Sequence, residues 1–368
     1  MAHDATLDTL FMARALKLAA RGLWTTSPNP RVGCVLVRDG QVVGEGWHEK
    51  AGEPHAEVHA LRAAGEAARG ATAYVTLEPC SHHGRTPPCA EALISAGVAR
   101  VVAAMQDPNP LVAGNGLARL HAAGIATECG VLEADARELN IGFVSRMTRG
   151  KPWVRLKTAS TLDGVTALEN GVSQWITGAA ARRDGHRWRA RACAVLSGIG
   201  TVIEDDPSLT VREVDTPRQP LRIIVNARLQ LTPQAKLFAD IERSPLLVVC
   251  ASDDTPKAQA LCDAGAELLV LPNEGGKVDL PAMFQALGAR GLNEVHAESG
   301  HKLNGSLMRE GCVDELLMYL APTVIGRGMG LFNLGPFDTL AQRIDVNIRD
   351  LRAVGKDWRL LARLRPSS

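Results

Sequence analysis

In the first 150 residues, segments whose apolar residues have the spacing of a helix alternate with segments that have the apolar pattern of a strand. Apolar residues three and four positions apart over residues 7–21 predict an amphipathic helix that ends at Gly22. Two apolar runs joined by Asp39-Gly40 predict a β-hairpin. Predicted helices then stand at 56–69, 90–96, 117–123 and 132–147, and predicted strands at 73–77, 98–105 and shortly after residue 123. This order is typical of an α/β/α layered sheet.

The second half begins after a polar break and repeats the alternation. Residues 148–152 form the break, which predicts domains of residues 1–148 and 152–368. Helical segments separate the β-rich apolar runs that follow, so a second α/β domain is predicted. Residues 232–244 are expected to form a surface excursion. The predicted strands lie at 153–158, 194–197, 221–225, 246–250, 268–271, 295–297 and 315–321.

Composition narrows the classes of protein to which this chain can belong. Hydrophobic residues make up 46% of its 368 residues, enough for two cores. A net charge of +1 and an aromatic content of 4% argue against a nucleic-acid partner, which needs a basic surface or stacking platforms. No apolar run reaches membrane-spanning length, and residues 1–21 lack the apolar core of a signal peptide. We therefore expect a cytoplasmic protein without a membrane partner and without a disulfide framework.

Residues 54–89 contain the donor types of a catalytic zinc site. His55, Cys80 and Cys89 offer one nitrogen and two sulfur ligands and leave a fourth position open. Glu57 does not share a helix face with His55, so it is predicted to carry protons without binding the metal. Prolines before His55 and Cys89 are helix-start signals. The order His-x-Glu, Pro-Cys, Cys predicts a zinc-dependent deaminase with one ion per chain.

Two other interpretations stay open on these residues alone. A structural zinc would need a fourth protein ligand, which His82 or His83 could supply. A deaminase of nucleic-acid bases with an appended RNA-binding half would carry the same motif, although the charge and the aromatic content disfavour it. Zinc content, together with activity on a free nucleotide and on RNA, would separate the three.

A second candidate site lies in the C-terminal half. Residues 295–307 show a strand, a glycine-containing turn and a helix, a pattern that can hold phosphate on backbone N–H groups but also occurs without any ligand. Arg182, His186 and Arg189 share one face of an upstream helix. A turn-rich segment with two acids and another arginine follows at residues 198–212. Together these features favour a binding rim over a solvated basic face.

The whole chain resembles the bifunctional deaminase/reductase family of riboflavin biosynthesis. The matching motifs are TSPNPRVG, GEPHAEVHAL, YVTLEPCSHHGRTPPC, QDPNPLVAG, KTASTLDG, SQWITG, the run from Ala181 to Arg212 and the turn from Glu298 to Ser306. The resemblance implies the fold class α/β, with an N-terminal cytidine-deaminase-like α/β/α sandwich followed by a dihydrofolate-reductase-like α/β domain. It implies hydrolytic deamination of a 2,5-diamino-pyrimidinone ribosylamine phosphate, and then NADPH-dependent reduction of the ribose to a ribityl chain.

The resemblance also implies residue roles in the reductase half. Family members read Gly-Pro in the phosphate turn, where this chain has Gly300-His301-Lys302. Lys157 and Asp163 stand near the expected reductase centre without an assigned role. Contacts with the phosphorylated pyrimidine are implied for Ser173, Arg189, Leu209, Arg212 and Glu298. Contacts with NADPH are implied for Ala159, Trp175, Thr201, Asp205, Gly300, His301, Lys302, Leu303, Asn304, Gly305 and Ser306.

Further contacts are expected from loop position and side-chain chemistry. Asn29, Asp107 and Asn109 lie on loops at strand ends, where α/β sheets place ligands, and the resemblance puts the pyrimidine and its ribose phosphate there. Arg189 and Arg212 are expected to hold the substrate phosphate in the reductase half, because a guanidinium offers bidentate hydrogen bonds. The protein is expected to be a homo-oligomer.

Overall fold

The computed structural model describes residues 5–81, 88–110, 112–253 and 255–364. The chain forms two compact units, Met1–Gly150 and Lys151–Ser368. The division between them falls within the polar break at residues 148–152. None of the helices in the described ranges combines the length and the apolar character that a membrane crossing requires.

The first unit is a five-stranded sheet of order β2-β1-β3-β4-β5, with helices on both faces. Strand β1 is antiparallel to β2 and β3, whereas β3, β4 and β5 are parallel. Buried residues of α1, α5 and α6 pack on one face, and those of α2, α3 and α4 pack on the other. The predicted α/β/α sandwich is confirmed. Its elements are α1 (Ala5–Ala19), β1 (Gly33–Arg38), β2 (Gln41–Trp47), α2 (Ala56–Ala64), β3 (Thr72–Val75), α3 (Cys89–Ala96), β4 (Arg100–Ala103), α4 (Asn115–Ala122), β5 (Ala126–Cys129), α5 (Glu133–Leu139) and α6 (Ile141–Arg149).

The single helix predicted over residues 132–147 is wrong, because the helix breaks at Asn140. The buried Asn140 side chain accepts the Arg31 N–H at 2.8 Å and donates to the Arg31 carbonyl at 2.9 Å. The Arg31 guanidinium donates to the Leu139 carbonyl at 2.7 Å, at the end of α5. Local sequence patterns do not show such a bond between distant segments. These contacts also hold in place the loop that carries Asn29.

The second unit is built on a nine-stranded sheet of order β11-β10-β9-β8-β12-β6-β13-β16-β15. The first seven strands in this order, β11 through to β13, are parallel to one another. Strands β16 and β15 extend the sheet and are antiparallel to their neighbours. Every strand predicted for this half is present. The elements are β6 (Trp153–Thr161), β7 (Val165–Ala167), α7 (Ala179–Arg191), β8 (Ala194–Gly198), α8 (Ile199–Asp205), β9 (Leu221–Val225), β10 (Leu246–Cys250), α9 (Thr255–Asp263), β11 (Glu267–Val270), α10 (Leu280–Ala289), β12 (Glu294–Ala297), α11 (His301–Arg309), β13 (Glu315–Ala321), β14 (Met329–Gly330), β15 (Val346–Val354) and β16 (Asp357–Leu364).

The β15–β16 hairpin was not predicted, because β15 is almost wholly exposed and a bulge between Ile348 and Asp350 interrupts its alternation of apolar and polar residues. The hairpin nevertheless holds α7. The Asp357 carboxylate accepts the N–H of Gly178, the N-cap of α7, at 2.7 Å. Arg359 donates to Asp184, on the second turn of the same helix, at 2.9 Å.

The expectation that residues 232–244 form a surface excursion is wrong for Leu237 and Ser244. Leu237 is fully buried in an apolar cluster with Leu231 and Leu246. Ser244 is also buried, and its carbonyl accepts from the Arg222 guanidinium at 3.1 Å. The segment therefore closes part of the core.

Candidate active sites of the two units

A cluster of zinc-binding residue types lies where two helices of the first unit begin. His55 is the N-cap of α2 and Cys89 is the first residue of α3, as the proline signals predict. Strand β3 ends at Val75, earlier than predicted, so Cys80 stands in the following loop. Helix α2 lies close to β2, where a Cβ on Gly46 would come within 2.5 Å of the Ala56 carbonyl oxygen. A glycine there lets the His55 end of α2 approach the sheet.

The ligand atoms of His55, Cys80 and Cys89 lie within 4.8 Å of one another. His55 Nδ1 is 3.3 Å from Cys89 Sγ and 3.7 Å from Cys80 Sγ. A hydrogen bond between the two thiols is the main cause that lowers the pKa of Cys80 and raises the pKa of Cys89. A nitrogen and two sulfurs at this spacing fit a zinc ion with one open position.

Glu57 lies in the first turn of α2, beside this cluster in sequence and almost completely buried. Burial raises the pKa of its carboxyl group above the ordinary value. A carboxyl group with a raised pKa holds a proton more strongly than an exposed carboxyl group does, as a residue that accepts and returns protons requires. The arrangement therefore suits Glu57 to proton transfer.

Asn29 is connected to the cluster through His48, a residue that the sequence analysis did not select. His48 is buried, and its ring lies edge-on to the His55 ring with 5.4 Å between centroids. His48 Nδ1 is 3.1 Å from the Pro54 carbonyl and Nε2 is 3.1 Å from Asn29 Nδ2. These partners require the tautomer protonated on Nδ1. The orientation of Asn29 therefore depends on the chain segment that precedes α2.

Asp107 and Asn109 lie on a loop that the buried Glu78 organises. The two Glu78 carboxylate oxygens accept four backbone N–H groups, at 2.9–3.2 Å. Asp107 Oδ1 accepts the Asn109 N–H at 2.8 Å. Glu78 stands two residues before Cys80, so it links the loop to the cysteine segment. The four donors belong to Asp107, Gly114, Gly116 and Leu117.

His82 and His83, the alternative fourth ligands, lie outside the described residues. Within the part of the chain that the structure describes, His55, Cys80 and Cys89 are the group whose metal-binding atoms converge.

The second site is a cleft in the second unit, at the carboxyl ends of parallel strands. Loops after β6, β8 and β12 surround a cavity of about 1850 Å³. A single small-molecule pocket occupies roughly 300–1,000 Å³, so this cleft has room for two ligands. Gly305 faces away from it, and a Cβ there would lie 2.1 Å from the Asn333 carbonyl oxygen. The predicted residues that line the cleft are Ala159, Ser173, Trp175, Arg189, Thr201, Asp205, Leu209, Arg212, Glu298, Gly300, His301, Lys302, Leu303, Asn304 and Ser306.

Glu298 lies among three basic side chains at the end of β12. Arg189 Nη2 donates to it at 2.9 Å, Lys157 Nζ lies 3.5 Å away and His296 Nε2 3.0 Å away. Burial alone would raise the pKa of Glu298, but the charges of Arg189 and Lys157 outweigh it and hold that pKa well below its usual range. Burial lowers the pKa of His296, which disfavours its charged form. The carboxylate is therefore ionised, with Arg189 as its main partner.

Arg189, expected to hold substrate phosphate, is thus already engaged by protein groups. Its Nε also donates to Glu298, and its Nη1 donates to the Thr210 carbonyl at 3.1 Å. Arg212 differs, because its side chain is exposed at the rim of the cleft and donates to Ser208 Oγ. The structure thus makes Arg212 the more accessible of the two guanidinium groups.

The two residues without an expected role occupy different places. Lys157, on β6, lines the cleft and approaches Glu298. Asp163 instead joins two loops, since its carboxylate accepts the N–H of Gly326 at 2.7 Å and of Ile325 at 3.2 Å. Asp163 therefore has a structural role at the strand ends.

The turn before α11 forms without the family's proline. Helix α11 begins at His301, with Gly300 as its N-cap. Both residues line the cleft. The N-terminal N–H groups of α11 are therefore available to a phosphate group.

Comparison with known proteins gives matches over both halves. Residues 5–105 match the family described as "Cytidine and deoxycytidylate deaminase zinc-binding region", and residues 152–360 match "RibD C-terminal domain". The riboflavin biosynthesis protein RibD of Escherichia coli is 48% identical, over 95% of this chain and 97% of that protein. RibD of Haemophilus influenzae is 46% identical, over 98% of each chain.

Solved structures agree over nearly the whole length. Acinetobacter baumannii RibD superposes with a TM-score of 0.92 at 44% identity, covering 99% of this chain and 100% of that one. A Thermotoga maritima protein described as a diaminohydroxyphosphoribosylaminopyrimidine deaminase and 5-amino-6-(5-phosphoribosylamino)uracil reductase superposes with a TM-score of 0.88 at 32% identity, with the same coverage. With a zinc-type cluster in one unit and a two-ligand cleft in the other, the chain belongs to the RibD family, the bifunctional zinc-dependent deaminases and NADPH-dependent reductases of riboflavin biosynthesis.

Proposed function

We propose that each unit performs one of two successive steps on the same pyrimidine. Residues 1–148 hydrolytically deaminate the 2,5-diamino-pyrimidinone ribosylamine phosphate, and residues 152–368 reduce the ribose of the product to a ribityl chain. The observation that carries this proposal is the presence of two chemically distinct sites, a three-ligand N/S cluster in the first unit and a large cleft in the second. The domain limits follow the polar break in the sequence.

In the deaminase unit, His55, Cys80 and Cys89 would hold one zinc ion. The ion, when bound, supplies the Lewis acidity that activates water near neutral pH. Glu57 holds and returns the proton, because its buried carboxyl group has a raised pKa. Asn29, Asp107 and Asn109 bind the pyrimidine and its ribose phosphate, supported by the His48 and Glu78 contacts that fix their loops.

In the reductase unit, the turn before α11 holds a phosphate of NADPH, which supplies the hydride when bound. Arg212 takes the substrate phosphate, since its guanidinium is exposed at the cleft. Arg189 acts on the substrate through Glu298, whose carboxylate it orients. Direct substrate contacts are assigned to Ser173, Leu209, Arg212 and Glu298. NADPH contacts are assigned to Ala159, Trp175, Thr201, Asp205, Gly300 to Asn304 and Ser306.

The test measures both steps with purified protein. The wild type should release ammonia from the diamino-pyrimidinone and oxidise NADPH in the same mixture. Glu57→Gln should retain zinc, lose most ammonia release and still oxidise NADPH with the deaminated substrate. Loss of zinc in this variant would make Glu57 a ligand, and failure of the wild type to oxidise NADPH with the deaminated substrate would refute the assignment.

We also propose that the protein is a cytoplasmic homo-oligomer. The exposed apolar side chains of the β15–β16 hairpin, among them Ile348, Leu351 and Trp358, support self-association. Light scattering after size exclusion would measure the mass, and a monomer at micromolar concentration would contradict the proposal. Reduced cysteines and the use of NADPH suit the cytoplasm. Cell fractionation would test that location.

A further inference from the structure

The segment Asp206 to Glu213, at the rim of the reductase cleft, has an unusual backbone. Asp206, Leu209 and Glu213 have φ angles of 41°, 53° and 56°. Non-glycine residues rarely adopt this left-handed region, and a leucine there is strained. Such a conformation persists only where surrounding contacts enforce it.

Two buried apolar side chains, Leu209 and Val211, anchor the segment in the core. Side chains from outside the segment bind backbone groups of Ser208, Thr210 and Val211. Arg222 donates to the Ser208 carbonyl at 3.2 Å and Arg189 to the Thr210 carbonyl at 3.1 Å. Val211 forms two hydrogen bonds with the Gln219 side chain, at 2.7 and 3.1 Å.

His186 binds the backbone of Arg212, whose side chain is exposed. The Arg212 N–H donates to His186 Nδ1 at 3.1 Å. His186 is buried on α7, and its ring lines the cleft. An Nδ1 that accepts a hydrogen bond must be unprotonated, so the neutral ring with its proton on Nε2 makes this contact.

The surroundings of His186 favour that neutral form. Burial has the largest effect, and the positive charges of Arg189 on α7, Arg212 on the rim and Lys157 on β6 act in the same direction. The negative charge of Glu298, after β12, opposes them. Together they lower the pKa of His186 to about 4. His186 Nδ1 thus remains a hydrogen-bond acceptor throughout the neutral pH range.

We propose that His186 is a positioning residue for the reduction step, holding the Arg212 backbone so that the Arg212 guanidinium meets the substrate phosphate. The proposal rests on the proposed function of Arg212. It assigns no contact between His186 and the reacting atoms. A determinant of substrate affinity thus lies on α7, whereas Arg212, which touches the phosphate, lies on the segment Asp206 to Glu213.

Three variants and one control test this role. His186→Leu removes the acceptor. His186→Asn keeps one, because an asparagine oxygen can take the place of Nδ1. Arg212→Ala removes the phosphate contact itself, and Arg187→Ala changes an exposed neighbour on α7 that does not line the cleft. NADPH oxidation with the deaminated substrate gives KM and kcat, and hydrogen exchange reports the Arg212 amide.

His186→Leu should raise the KM for the pyrimidine about tenfold, as expected for a part-buried N–H left without its acceptor. The KM for NADPH, the kcat and deamination should stay within about twofold of wild type, a margin of less than 0.5 kcal/mol. The Arg212 amide should exchange faster. His186→Asn should regain most of the affinity, and Arg187→Ala should behave as wild type.

Equal impairment in His186→Leu and His186→Asn would overturn the proposal, because the acceptor would not matter. An unchanged KM in His186→Leu would also overturn it. In that case Arg212→Ala identifies the faulty step. A raised KM in Arg212→Ala would show that Arg212 binds substrate without help from His186, whereas an unchanged KM would refute the assignment of Arg212.

Discussion

Replacing Arg189 with lysine separates two roles that the sequence could not distinguish. Lysine keeps the positive charge but cannot form the forked contact with Glu298, nor can it reach the Thr210 carbonyl at the same time. The side chain of Arg189 is only 15% exposed, so water does not easily replace the lost bonds. Arg189→Lys should therefore reduce stability in addition to reducing substrate affinity.

The size of the effect follows from the bonds that are lost. One charge-assisted bond to Glu298 and the bond to Thr210 disappear, while the lysine ammonium retains one contact with the carboxylate. A hydrogen bond to a charged group contributes about 1.5–3 kcal/mol, so the loss after partial compensation is about 3 kcal/mol. For a unit of this size each kcal/mol lowers Tm by about 2–4 °C, which predicts a decrease of roughly 6–12 °C in Tm.

Thermal unfolding at several pH values measures this decrease in Tm. The pKa of Glu298 is held well below its usual range, so its ion pair stabilises the fold fully above the unfolded carboxyl pKa of about 4.3 and weakens as pH falls below it. The difference in Tm between wild type and Arg189→Lys should thus be the same at pH 8 and pH 6. Arg187→Lys, on the exposed face of α7, is the matched control and should unfold like wild type.

One result would refute this reasoning. If Arg189→Lys unfolded at the wild-type temperature while the KM for the pyrimidine rose about tenfold and NADPH affinity stayed unchanged, Arg189 would bind phosphate directly. The contact with Glu298 would then not be the main function of its guanidinium.

Three further outcomes test the deaminase unit. Asn29→Ala should weaken deamination without changing NADPH oxidation on deaminated substrate, and equal loss of the two activities, each measured with its own substrate, would indicate a folding defect. Cys89→Ser should lower the zinc content measured by atomic absorption, and full retention would remove Cys89 from the ligand set. Glu78→Ala leaves four backbone N–H groups without their acceptor and should lower the stability of the first unit by about 3 kcal/mol. A denaturation midpoint equal to that of wild type would contradict that estimate.

The zinc-type cluster could be predicted because its signals are local. The prolines before His55 and Cys89 mark helix starts, and both residues begin helices in the structure. Their convergence follows from α2 and α3, which pack together on one face of the sheet. The alternation of apolar runs identified the five strands of the first unit and the seven parallel strands of the second for the same reason, since each of these strands shows its own pattern.

Contacts between distant segments could not be predicted in this way. Nothing in the sequence around Glu78 shows that four N–H groups more than 25 residues later will meet its carboxylate. The spacing of the arginines likewise does not reveal whether Arg189 binds a phosphate or Glu298. The break at Asn140 depends on Arg31, and the β15–β16 hairpin on a neighbouring strand, so neither has a local signal.

The hairpin at the end of the second unit also sets an order of events during synthesis. The N-cap of α7 binds Asp357, and Asp184 has Arg359 as one of its partners; these residues lie 179 and 175 positions further along the chain. The contacts among the three residues of the zinc-type cluster, in contrast, span only 34 positions, from His55 to Cys89. Since domains fold as units from the N-terminus on the ribosome, the first unit can be complete long before α7 has its final partners. A ribosome stalled before residue 357 should thus carry a metal-binding nascent chain whose reductase cleft is still unfinished.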